Sequence, residues 1–175
     1  MMVTISVPVG GATLGLGAVS HTTSGTVSGS QNGYAVGATL GFAPAAGISM
    51  GIEGGYADGA LGYLGTAAEA AGIHYSIEDI YDVDSLTAVT DTNTGYVVSA
   101  YMSAAAGPGS IGLLGSYTVL SDSNSDTTGT SVELNYAWTG AKNLTVTPAI
   151  AYLTADDGTD TANTTKAILR INRDF

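Results

Sequence analysis

Apolar residues recur at every second position through most of this chain, and Gly, Ala, Ser and Thr fill most of the positions between them. Successive side chains of a β-strand point to opposite faces, so a period of two predicts strands with one apolar face and one small or polar face. Residues 33–42 put Tyr34, Val36, Ala38, Leu40 and Phe42 on one face and Ala35, Gly37, Thr39 and Gly41 on the other. Residues 48–56 repeat this, with Ile48, Met50, Ile52 and Tyr56 opposite Ser49, Gly51, Glu53 and Gly55. The pattern returns over 95–105, 111–119, 130–138 and 144–152. The last stretch, 164–175, sets Ala167, Leu169, Ile171, Arg173 and Phe175 opposite Lys166, Ile168, Arg170, Asn172 and Asp174.

The start of the chain is less regular. Val3, Ile5, Val7 and Val9 alternate with Thr4, Ser6, Pro8 and Gly10, and a proline confines such a stretch to an edge or a bulge. Gly10-Gly11 then bends the chain. We take residues 3–20 as one bent first strand, with two separate strands as the competing count, and residues 22–32 as a Ser/Thr/Gly loop. Residues 58–94 carry no clear period: a short helix fits 60–71, and a strand pair or packed loop fits 73–80. So long an irregular stretch marks a functional or disordered loop. The connections alternate between short turns (after Phe42, Ala106 and Thr139) and long polar loops (after Ser20, Ala57, Leu120 and Thr154). An up-and-down antiparallel order gathers the turns at one end and the loops at the other.

Composition decides which face meets water. Only 11% of residues are charged, against about 25% in an average globular protein. Mean hydropathy is +0.25, yet no run approaches the ~20 apolar residues of a transmembrane helix. A water-exposed face seldom consists of Gly, Ala, Ser and Thr, whereas a narrow closed lumen needs small side chains. Net charge is −11, with four basic residues, of which Lys166, Arg170 and Arg173 share the last strand. No basic patch exists to neutralise phosphates, so nucleic-acid binding is excluded. The absence of cysteine excludes disulfides and thiolate chemistry. The opening Met1-Met2-Val3-Thr4 lacks the charged and apolar regions of a signal peptide, which fits a mature or engineered form.

The chain resembles bacterial outer-membrane β-barrels, small eight-stranded or porin-like, with no single family picked out. Dyad strands of about ten residues carry the resemblance, together with the turn/loop alternation, the aromatic residues near strand ends (Tyr34, Phe42, Tyr56, Tyr96, Tyr117, Tyr136, Trp138, Tyr152) and the terminal Phe175. The segment NYAWTGAKNLTVTPAIAY, residues 135–152, looks like a porin periplasmic hairpin. The resemblance implies an all-β, antiparallel up-and-down transmembrane barrel of about eight strands, or ten if residues 3–9 or 73–89 contribute, forming one domain over residues 1–175. It also implies a C-terminal assembly signal read by the barrel insertion machinery. Leu169, Ile171 and Phe175 match that signal, and Arg173 departs from it.

Four charged residues fall on the small, inward face: Glu53, Glu133, Lys166 and Arg170. Buried charges are costly unless paired, so an internal ion-pair network is expected, as a structural plug or a gate. Asp122, Asn124 and Asp126, with Glu133 at the twelfth position, follow part of a calcium-loop spacing, but Thr127 stands where that loop needs Gly. A solvated acidic loop is the plainer reading, with divalent cations as occasional partners. His21 and His74 stand alone, and no nucleophile–base spacing accompanies them, so no enzyme and no cofactor is expected.

The leading expectation is an integral barrel of the bacterial outer membrane, in contact with membrane lipid, acting as an anchor or a narrow pore with acidic external loops. The alternatives are a secreted Gly/Thr-rich β-protein that assembles through strand edges into a fibre or surface layer, and a designed or truncated porin derivative.

Overall fold

The computed structural model describes residues 2–25, 29–60, 94–121 and 126–174, with the side chains of residue 21 and of 23–31 left aside. Nine strands follow one another in a single antiparallel sheet whose spatial order is the sequence order. They are β1 (Met2–Val9), β2 (Ala12–Gly25), β3 (Gly29–Ala45), β4 (Ile48–Asp58), β5 (Thr94–Ala106), β6 (Gly109–Ser121), β7 (Asp126–Ala141), β8 (Leu144–Asp156) and β9 (Thr161–Arg173). Among the described residues β1 and β9 do not pair, so the sheet has two free edges.

The expected count of about eight strands is corrected to nine, and the difference lies at Gly10-Gly11. Both glycines have positive φ, 56° and 88°. That pair of conformations makes the tight hairpin turn whose twist matches the strands on either side. The chain therefore reverses at these glycines instead of bending, with Val9 paired to Ala12 and Met2 to Val19. Pro8 is tolerated because β1 is an edge strand, with no second neighbour to ask for its missing N–H. The loop expected over 22–32 is also shorter than its composition suggests, since the β2–β3 ladder continues to Gly25 and Gly29. Similarly, β7 begins at Asp126 and β9 at Thr161, inside segments whose Ser, Thr and Asn content reads as loop. Most of the helix and strand pair expected over 60–80, and the candidate strand region 73–89, lie outside the described residues.

The apolar positions share one continuous face. Leu40 pairs with Ile52, Ile52 with Ala100, Ala100 with Gly115, Gly115 with Val132 and Val132 with Tyr152. These side chains stand open: Ile52 is 49% exposed, Val132 48% and Tyr152 50%. In a soluble protein such a face would be the core. Here the buried residues lie on the opposite face, in small groups such as Ala35, Ala57 and Val97, or Ala151 and Leu153.

Two features shape the sheet as a barrel wall. First, each hairpin is displaced from the one before it in the same sense. Ala12 opens β2 level with Phe42, while β3 runs on to Ala45; Gly109 opens β6 level with Trp138, while β7 runs on to Ala141. A stagger kept in one sense is the strand tilt that barrel closure requires. Second, the short-turn rim is tied together. Ala105 N donates to Gly47 O (2.7 Å), Thr139 N to Pro108 O (2.9 Å) and Asp174 N to Asn143 O (3.0 Å), so each of these turns is bonded to a strand beyond its own hairpin. Asn143 takes the left-handed conformation (φ 57°) that glycine takes at Gly47 and Gly107.

Candidate functional site

The inward face is built from rows of residues that the strand register sets side by side. One row runs Thr39, Glu53, Ser99, Ser116, Ser131, Leu153. Glu53 is 5% exposed and has a hydroxyl residue on each flank, Thr39 and Ser99. The Ser99 hydroxyl is buried beside the Glu53 carboxyl. Further along, the Ser116 and Ser131 hydroxyls share a 2.7 Å hydrogen bond.

The adjacent row runs Gly41, Gly51, Tyr101, Leu114, Glu133, Ala151, Lys166. Glu133 (8% exposed) and Lys166 flank Ala151, which is 1% exposed beneath them. Glu133 Oε1 accepts a 2.8 Å hydrogen bond from Asn135 Nδ2 on the same face of β7. Arg170 lies further along β9 toward the short-turn rim, on the same face as Lys166, and pairs with Thr147. A cavity of about 320 Å³ brings Glu133, Asn135, Tyr101 and Arg170 together with Ser49. Its walls come from six consecutive strands, β4 to β9. Neighbouring strands lie about 4.8 Å apart, so residues at the two ends of this span line one space only because the sheet curls round it.

The four expected inward charges thus divide. Glu133 shares a row with Lys166, and Arg170 follows on β9, whereas Glu53 lies on β4 in a row of hydroxyl residues. Three uncharged residues of the inward face, Tyr101, Asn135 and Ser99, are placed inward by their parity alone; their neighbours become visible only with the register.

The outward aromatics form two belts. Tyr34, Tyr56, Tyr96, Tyr117 and Tyr152 lie toward the long-loop ends of their strands. Their rings meet in pairs, Tyr34 with Tyr56 at 6.1 Å between centroids and Tyr96 with Tyr117 at 6.4 Å. Phe42, Tyr136 and Trp138 lie toward the short turns, and the Tyr136 hydroxyl donates to Ala106 O (3.0 Å). From Tyr34 to Phe42 the strand rises about 26 Å at its usual ~3.3 Å per residue, which at the ~40° tilt of barrel strands spans about 20 Å of membrane height, most of the ~25 Å apolar band of an outer-membrane barrel. Leu169 and Ile171 are 63% and 62% exposed on β9, and Phe175 lies outside the described residues.

At the long-loop end, the β8–β9 turn is closed by its own acids. Asp156 Oδ1 accepts from Gly158 N (2.7 Å), and Asp156 Oδ2 accepts from the Thr161 hydroxyl (2.7 Å). Asp157 Oδ1 accepts from the backbone N–H groups of Asp160 and Thr159, at 2.8 Å each. These two hydrogen bonds, Asp160's first, hold the Asp157 carboxyl below the usual aspartate range. Of the calcium-loop candidates, Asp122 and Asn124 lie outside the described residues and Asp126 opens β7. Among the described residues no cluster of His, Asp or Glu could hold a metal ion.

A comparison with protein-family models matches residues 5–174 to the porin subfamily, nearly the whole chain. The chain belongs to that porin family, which implies a place in the bacterial outer membrane and a channel or structural role. No curated protein matches the sequence closely enough to add a particular relative.

Proposed function

We propose that the chain forms the wall of an outer-membrane diffusion channel for small polar solutes, with the apolar face toward lipid and the Gly/Ser/Thr rows toward a water-filled lumen. One observation carries this reading: the curled sheet keeps its open, apolar side chains outward and borders on its other face a cavity where Glu133, Asn135, Tyr101 and Arg170 meet apolar residues such as Leu114 and Ile168. A structural plug would need those charges to fill the space between them. Purified protein refolded in detergent and added to planar bilayers tests the proposal. Discrete, ohmic conductance steps are expected; correctly folded protein that inserts without conducting overturns it in favour of an anchor.

The insertion machinery is the expected partner at β9, where the exposed Leu169 and Ile171 carry the apolar alternation of the assembly signal. The free edges of β1 and β9 are what a fibre joined by strand edges would use. Folding in plain buffer without detergent or lipid would favour that second reading.

A further inference from the structure

Tyr101 is the largest residue of its inward row, and its ring does not stand upright in the lumen. Two glycines occupy the neighbouring positions on β4 and β3, Gly51 and then Gly41. A Cβ built on Gly51 would lie 2.6 Å from Tyr101 Cζ, and one on Gly41 would lie 3.5 Å from the Tyr101 hydroxyl. The ring therefore lies flat along the wall, across both backbones, in a slot that exists because these positions have no side chain. Glycine within a strand commonly marks such a close approach. On its other side Tyr101 packs against buried Leu114. The remaining free space next to the ring is the cavity it shares with Glu133 and Arg170.

We propose that Tyr101 sets the aperture of the lumen, and that Gly51, with Gly41, holds the pore open by parking its ring. This deepens the channel reading and rests on it. An added methyl at Gly51 cannot coexist with the parked ring, because real Cβ contacts do not come that close. The ring must then rotate off the wall, and between the wall and Leu114 the cavity is where it can go. An aromatic plane brought into a narrow polar passage obstructs solutes both by its bulk and by displacing water.

A double-mutant cycle of single-channel conductance tests this. Gly51→Ala is expected to lower conductance, and Tyr101→Ala to raise it. Combining the two should restore the conductance of Tyr101→Ala, because no ring remains to displace. Gly17→Ala is the control, since a Cβ there meets nothing nearer than a Thr4 methyl at 3.8 Å. Heat-modifiable gel migration checks that each variant folds; if Gly51→Ala fails to fold, Gly51→Ser made together with Tyr101→Ala replaces it in the cycle against Tyr101→Ala alone. An unchanged conductance in Gly51→Ala, or an equal loss in the Tyr101→Ala background, overturns the aperture while leaving the channel standing. A folded wild type that never conducts overturns both.

Discussion

A hydrogen bond from the same strand helps hold the inward acid of β7. Asn135 is the side-chain donor to Glu133, and a carboxylate that loses its donor in a restricted space bears part of its desolvation cost. Asn135→Leu should therefore destabilise the folded protein by about 1.5–3 kcal/mol, measured as a shift in the urea midpoint in detergent at unchanged slope. At the long-loop end Asp157 supplies a pH-dependent contact. Its folded pKa is depressed, so the order it lends the β8–β9 turn is complete above the ordinary aspartate value and is lost as pH falls through its own, lower one. A carboxyl-carbon NMR titration should place its midpoint below the ~3.9 of a free aspartate. A midpoint at or above that value would show that the backbone N–H groups of Thr159 and Asp160 do not hold the charge.

Among the strands and turns, the first hairpin depends on two left-handed glycines. Gly10→Asn keeps a residue that tolerates that conformation and should leave stability within about 0.5 kcal/mol, whereas Gly10→Val should cost about 1–2 kcal/mol. Paired thermal melts in one detergent compare them. The faces of the strands set a second expectation. Leu134 is 50% exposed on the outward side, and Leu134→Arg should cost about 2–4 kcal/mol if that side meets the middle of the bilayer. Refolding into lipid vesicles measures it, and no penalty would place this side in water. The faces were legible from the sequence because parity survives any error in strand ends: Glu53, Glu133, Lys166 and Arg170 all keep inward parity in the register. The first turn was not legible, because Gly-Gly serves a bend and a reversal equally well. Strand ends were misplaced where Ser, Thr and Asn continue a ladder beyond the apolar band. The division of the charges was not legible either. Glu53 and Glu133 look equivalent along the chain, and only the register places Glu133 in one row with Lys166 and Glu53 in a row of hydroxyl residues.

For the sheet taken as one wall, nine strands carry a constraint that eight or ten would not. With an odd number, β1 and β9 run in the same direction, both toward the short-turn rim. A direct seam between them would be parallel, and an all-antiparallel closure calls for an odd number of further strands between them. The reversal at Gly10-Gly11 is the source of this parity, and it also fixes sidedness. Long loops of outer-membrane barrels face the exterior and short turns the periplasm. In that orientation Met2 would lie at the exterior rim and Arg173 at the periplasmic one. A peptide tag joined ahead of Met2 should be stained by antibody on intact cells, while one joined after the β9 end should be stained only once the outer membrane is opened. Two glycines in a turn therefore determine which compartment the first residues of the sheet look into.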